Sequence, residues 1–282
     1  MRIALTGHTS GIGKAIVQQC QNGNDTIIFG QLLWTDGEPV LGFSRSNGYD
    51  INDPAPIIRE TLAKKFKVVL KNNGVKDSNI SAVGGPCLAT GLAGRIKSSV
   101  VLANSDLSVV KSIGKMISTN YYSTEYSEDL LGVEVCAAIK NLYSMIIGAS
   151  EGLCSVDATE DVKNKNYLNT AASLMYKSIS EMVYFTKALK GKKETVYGLS
   201  GLGDLYVSSA GGRNSKMGKY LGEGHLYSKA KKQFMQNDTI EGAELAFEIG
   251  SKIMKEFSKN DLPLMINLLD SIINNKKFKI NW

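Results

Sequence analysis

The chain has 282 residues, 43% hydrophobic and 21% charged, enough to bury a sizeable core and make two domains. Its formal net charge of +6 comes from lysines scattered along the chain, which suits an anionic small molecule and argues against a nucleic-acid partner. Four cysteines without CxxC spacing and two histidines point to thiols in a reducing compartment and to no metal site. No signal-peptide pattern and no apolar run of the roughly 20 residues that span a bilayer is found, so a soluble, cytoplasmic protein with no membrane partner is expected.

In chain order, residues 2–5 form a short apolar strand that runs into Thr6, Gly7, His8, Thr9, Ser10, Gly11, Ile12 and Gly13, followed by a helix over 14–20. Glycines at these positions let the backbone turn tightly beside a pyrophosphate, and the helix N-terminus offers unpaired N–H groups to it. This TGxxxGIG turn resembles the opening of short-chain dehydrogenases, a Rossmann-type NAD(P) family. The resemblance implies that Gly7, Gly11, Ile12 and Gly13 bind the cofactor. Further strands are expected over 26–29 and 40–43. The second ends at Ser44, Arg45 and Ser46, where that family places its ribose discriminator; Arg45 there leans toward the 2′-phosphate of NADP. This likeness stops near Asp53. Tyr227 and Lys231 do fit YxxxK, but they lie in a lysine-rich stretch that reads as a solvated helix.

A helix is expected over 54–73, with Pro56 near its start and Gly74 past its end. Strands over 79–83, 98–103 and 121–125, and a helix over 107–116, complete an α/β N-terminal domain. The stretch 132–153 then carries Val133, Val135, Cys136, Ala137, Ala138, Ile139, Leu142, Met145, Ile146 and Ile147 on nearly every side, the mark of a helix through a core. Lys140 sits in its middle. An ammonium in such a place either reaches solvent along its stem or is held by partners, and a desolvated lysine is a usable proton donor or acceptor.

Residues 166–189 form a long helix in which Tyr176, Met182, Tyr184 and Phe185 read as core and edge. The stretch 198–224 holds eight glycines, too many for one regular helix, and reads as a loop whose backbone can approach a ligand. A helix over 240–257 follows. A last helix begins near Asp261, read as its capping acid, with Pro263 in the first turn. The lysine-rich tail is expected to be solvated.

From about residue 79 onward the chain resembles NAD(P)-dependent glycerol-3-phosphate dehydrogenases. Gly85, Pro86, Cys87, Leu88 and Ala89 stand where that family has a Gly-Pro-Ser/Thr-Phe-Ala turn beside substrate and cofactor, with a thiol in place of the usual hydroxyl. Gly132 to Val135 with Lys140 and Asn141 match GVxLxxAxKN; Gly201 to Leu205 match GxGDL; Gly211 to Asn214 match (S/G)RN; Thr239 to Gly242 match VxEG. The likeness implies that Lys140 is the general acid/base and that Asp204 orients it. Gly85, Cys87, Asn141, Ser208, Gly212, Arg213 and Asn214 are implied to face the substrate, and Ala89, Arg213 and Glu241 the cofactor, NAD or NADP. A phosphorylated small substrate and a homodimer follow from the same resemblance. The family's middle cofactor strands are not found between residues 53 and 79.

The expected fold is therefore a shortened Rossmann-like α/β domain over residues 1–128 and an all-α substrate domain over 129–282, with the cleft between them. The leading function is interconversion of dihydroxyacetone phosphate and glycerol 3-phosphate. The alternative is a catalytically weak or inactive chimera of a short-chain dehydrogenase start and a glycerol-3-phosphate dehydrogenase helical domain, acting as a binding or dimerisation module.

Overall fold

A computed structural model describes residues 5–6, 42–43, 80–157 and 167–280. The glycine turn with Gly7, Gly11, Ile12 and Gly13, the strand over 26–29, Arg45 and the helix over 54–73 lie outside the described residues. The chain divides into two compact units, Met1–Glu134 and Val135–Trp282.

In the first unit, β1 (Leu5–Thr6) pairs in parallel with β2 (Gly42–Phe43). A second sheet has the order β3 (Ala82–Gly84), β4 (Ser98–Ala103), β5 (Tyr122–Ser127). β4 and β5 run parallel, with Val101 opposite Glu125, and the helix α2 (Leu107–Ile117) supplies the crossover that parallel strands require. α2 follows α1 (Ala89–Ala93) in the chain. Val110, Ile113, Gly114 and Ile117 face inward at helical spacing, and Asp106 caps α2 by accepting from the Ser108 N–H at 2.8 Å. β3 is antiparallel to β4. Ala82, Val101, Ala103 and Val133 form one buried cluster with Leu130 packed against it.

The second unit is built around α3 (Leu130–Asp157), the apolar helix expected over 132–153. Asp129 starts it, accepting from the Gly132 N–H at 3.0 Å while its own N–H donates to Ser127 Oγ. Cys136, Ile139, Leu142, Met145 and Ile146 are buried. By length and composition alone this helix is apolar enough to cross a bilayer. This differs from the expectation that no apolar run reaches such a length; Glu134, Lys140 and Glu151 interrupt the run.

Around it stand α4 (Tyr167–Ala188), α5 (Lys193–Tyr197), a π-helical turn (Leu199–Gly203), α6 (Asp204–Ser209), α7 (Arg213–Gly222), α8 (Tyr227–Phe234), α9 (Glu241–Glu256) and α10 (Pro263–Ile273). On α4, Met182 and Phe185 are buried while Tyr176 and Tyr184 are exposed, as core and edge. The YxxxK pair lies on α8, where Lys231 Nζ donates to the carbonyls of Met235 and Gln236 at 2.8 Å and so closes the helix end.

The stretch 198–224 is not the loop its glycines suggest. It is mostly helical, and most of its glycines approach other protein backbone rather than open space. On α7, a Cβ at Gly218 or Gly222 would fall on the carbonyl oxygens of Met145 or Ala149 in α3. On α3, a Cβ at Gly148 or Gly152 would fall on those of Ser215 or Lys219 in α7. Glycines four apart lie on one helix face, so these two pairs let α3 and α7 cross backbone to backbone.

α10 corrects a second expectation. Its N-cap position is Leu262, and Asp261 instead accepts from Ser258 Oγ at 2.6 Å. The cap comes from α4: the N–H groups of Leu264 and Met265 donate to the two carboxylate oxygens of buried Glu181 at 2.7 and 3.0 Å, and the Tyr143 hydroxyl of α3 donates to Oε2 at 3.2 Å. One carboxylate thus ties three helices. Burial pushes the Glu181 carboxyl above its ordinary value, against the pull of those N–H groups, the Tyr143 hydroxyl and Lys177.

Gly218→Ala should lower stability to urea by about 1–3 kcal/mol. Gly91→Ala, where the nearest atom to a new Cβ is 3.9 Å away, should leave stability unchanged or slightly raised. Equal losses in the two variants would contradict the close crossing. For Glu181, the folded chain holds the carboxyl proton more tightly than the unfolded chain. Its contribution is therefore full below the unfolded value and is lost as pH rises through the folded one. Glu181→Gln should flatten the fall of stability with pH across that window, measured by urea titration at successive pH values; identical pH slopes would rule this out.

Candidate active site

Asp204 is delivered by a tight connection. Gly201 lies so close to the backbone of Val196 that no side chain fits, which lets the π-helical turn fold back on α5 and start α6 at Asp204. The carboxylate is 8% exposed and meets Lys140 from the middle of α3, with Nζ to Oδ2 at 2.5 Å. The lysine side chain is 21% exposed. The ammonium has three donors; it is neither fully exposed nor sealed off, and a charge-assisted bond fixes its direction. Ser208 lies one turn after Asp204 on the same face of α6 and is half-buried.

α7 opens at Gly211 and Gly212. Gly211 has φ +128°, a conformation that favours glycine, and Gly212 is the N-cap with no side chain to occupy the first N–H groups. Ser215 Oγ donates to the Ser209 carbonyl at 2.9 Å and ties the start of α7 to the end of α6.

Arg213 is half-exposed and pairs through Nη2 with Glu241 Oε1, at the start of α9. Asn214 is buried. Its Nδ2 donates to Glu241 Oε2 at 3.1 Å and to Asn141 Oδ1 at 3.3 Å, and its Oδ1 accepts from the Gly242 N–H at 2.9 Å. Gly242 is needed as glycine: a Cβ there would lie 2.8 Å from the Asn141 carbonyl oxygen. Three helices thus converge at one point.

The second unit therefore brings together Lys140 with Asp204, and Asn141 with Arg213, Asn214 and Glu241. Lys140 and Asn141 are successive residues of α3, so the two groups share a helix. Gly85, Cys87 and Ala89 belong to the first unit. There Gly85 has φ +140° and lies against the backbone of Ser99 and Val100, and its carbonyl accepts from the Cys87 N–H at 2.8 Å. Tyr122 is buried nearby, and burial first, then the charge of Cys87, raises its phenol well above the ordinary range. The residues that sequence reasoning missed are positional: Gly148, Gly152, Gly218 and Gly222, whose spacing of four was there to be read, and the Gly242 N–H, which carries no sequence signal beyond glycine itself.

Known proteins resemble this chain mainly over its C-terminal part. The family model for the C-terminus of NAD-dependent glycerol-3-phosphate dehydrogenase matches residues 129–280. An NADP(+)-dependent glycerol-3-phosphate dehydrogenase of Archaeoglobus fulgidus is 32% identical over 177 residues, covering 61% of this chain and 51% of that protein. A glycerol-3-phosphate dehydrogenase [NAD(P)+] of Clostridium botulinum is 30% identical over 199 residues, covering 70% of this chain and 56% of its own length. The chain spans about half the length of these relatives. Among solved structures, glycerol-3-phosphate dehydrogenase from Coxiella burnetii superposes with a TM-score of 0.61 at 25% identity, over 75% of this chain and 61% of that one. The Saccharomyces cerevisiae structure of that name shares the fold, with a TM-score of 0.63 at 21% identity over 77% and 60% of the two chains. Through residues 129–280, which hold Lys140, Asp204, Arg213, Asn214 and Glu241, the chain belongs to the NAD-dependent glycerol-3-phosphate dehydrogenase family.

Proposed function

We propose that this chain interconverts dihydroxyacetone phosphate and sn-glycerol 3-phosphate with NAD or NADP, as a cytoplasmic homodimer. The observation that carries the reading is the Lys140–Asp204 pair, an ammonium directed by a nearly buried carboxylate on the core helix of the matched region. Bound nicotinamide would supply or accept the hydride. As negative charge develops on the carbonyl oxygen of the ketone, Lys140 stabilises it and delivers a proton from Nζ; in the other direction the amine takes the alcohol proton. Asp204 fixes where Nζ points and offsets the cost of holding that charge in a largely dry place.

The phosphate is assigned to the start of α7. Arg213 uses one edge on Glu241 and keeps other N–H donors, and the backbone N–H groups after Gly212 add the positive end of a helix. The chemistry of these groups also fits a nicotinamide dinucleotide, since a half-exposed guanidinium suits its anionic part and the Glu241 carboxylate its amide N–H. Gly85, Cys87 and Ser208 are assigned to the substrate, and Gly7, Gly11, Ile12, Gly13, Arg45 and Ala89 to the cofactor, on the resemblance alone.

Oxidation of NADH and of NADPH by dihydroxyacetone phosphate tests the proposal. Lys140→Met, which keeps the apolar stem, should lower kcat by about 10²–10⁴-fold. Equal activity in the two proteins would remove Lys140 from the role. No turnover by the native chain with either nucleotide would favour the binding-module alternative.

A further inference from the structure

Lys140 and Tyr143 are three residues apart on α3, and residues at that spacing share a helix face, so their side chains leave the core helix close together. They reach different neighbours. Lys140 goes to Asp204 at the start of α6, while the Tyr143 hydroxyl donates to Glu181 Oε2 on α4 at 3.2 Å. Tyr143 is sealed from solvent; burial first, then the Glu181 charge, holds its phenol well above the ordinary range, so it stays a donor. Its acceptor is fixed as well. The Leu264 N–H donates to Oε1 and the Met265 N–H to Oε2, which gives the carboxylate one orientation. The Tyr143 and Lys140 bonds together close a circuit. α5 and the π-helical turn pack against α4, and that turn leads without a break into Asp204. From α3 the circuit runs through Tyr143 and Glu181 to α4, then through α5 and the turn to Asp204, and returns to α3 at Lys140.

We propose that Tyr143 and Glu181 are positioning residues whose bond holds α3 against α4 at the register in which Asp204 meets Lys140. This rests on the dehydrogenase reading and deepens it by naming what aligns its proton donor. A lysine stem is flexible, so where Nζ points depends on where α6 stands relative to α3. Without the Tyr143 hydroxyl, Glu181 keeps its two N–H donors from α10, but α3 is released from α4 at this point. Asp204 then shifts with the elements that α4 carries.

Tyr143→Phe deletes the hydroxyl and keeps the aromatic ring. Assayed with dihydroxyacetone phosphate and a reduced nicotinamide cofactor, it should lose about 10–100-fold in kcat, the upper end being the scale of a displacement of about 1 Å, with KM little changed. The solvent isotope effect on kcat in heavy water should rise, because proton delivery from a misaligned Nζ slows relative to the other steps. Ile272→Val is the control: it removes a buried methylene from α10, leaves both bonds of the circuit in place, and should destabilise the fold while keeping native kcat and isotope effect. NMR relaxation of lysine labelled with 13C at Cε reads the alignment without substrate; Lys140 should be ordered in the native chain and mobile in Tyr143→Phe. Native kcat in Tyr143→Phe, an unchanged isotope effect, equal Lys140 mobility in the two proteins, or the same kinetic loss in Ile272→Val overturns the proposal. A native chain without turnover overturns the dehydrogenase reading instead, and the mobility of Lys140 then decides the circuit by itself.

Discussion

Two pairs of glycines four residues apart, Gly148 with Gly152 on α3 and Gly218 with Gly222 on α7, let two helices touch at their backbones. Side chains at a helix contact normally hold the axes 8–10 Å apart, so four missing Cβ atoms are what allow this approach. Every position at the start of α7 follows from that distance. Arg213 and Asn214 precede the crossing by little more than a turn, and Asn141 lies two turns before Gly148 on the facing helix. The Asn214 to Asn141 hydrogen bond at 3.3 Å can form only if the axes stay close.

The charged groups are arranged on this frame with attention to burial. Of the two ion pairs, Lys140 with Asp204 is the less exposed and Arg213 with Glu241 the more exposed. In the drier place a single ion pair holds direction firmly, whereas exposed pairs hold weakly and are easily exchanged for a ligand. Glu181 shows the same principle in a structural setting: its buried carboxylate is kept by two backbone N–H groups and a hydroxyl, and joins α3, α4 and α10.

What the sequence makes legible is local and periodic. The strand over 98–103 and the helices following Leu107, Tyr167 and Glu241 announce themselves by apolar spacing, and Lys140 stands out because a charge interrupts a run that should have none. What escapes depends on partners far away in the chain. The cap of α10 arrives from Glu181, 83 residues earlier, so the nearby Asp261 is a natural but mistaken choice. The glycines of 198–224 suggest looseness, because composition cannot tell a flexible backbone from one that must fit against another. The orientation of Asn214 is likewise invisible, since the N–H that fixes it lies 28 residues on.

Helix proximity, set by glycine, is what aligns the groups assigned to the reaction. The kinetics of Gly148→Ala test it most directly, because its new Cβ would press on the Ser215 carbonyl beside Asn214 while touching no residue assigned to substrate. Assayed with dihydroxyacetone phosphate and a reduced nicotinamide cofactor on protein verified as folded, the variant should lose roughly 100-fold in kcat/KM, the scale of a displacement of about 1 Å. A folded Gly148→Ala protein with native kcat/KM would contradict it.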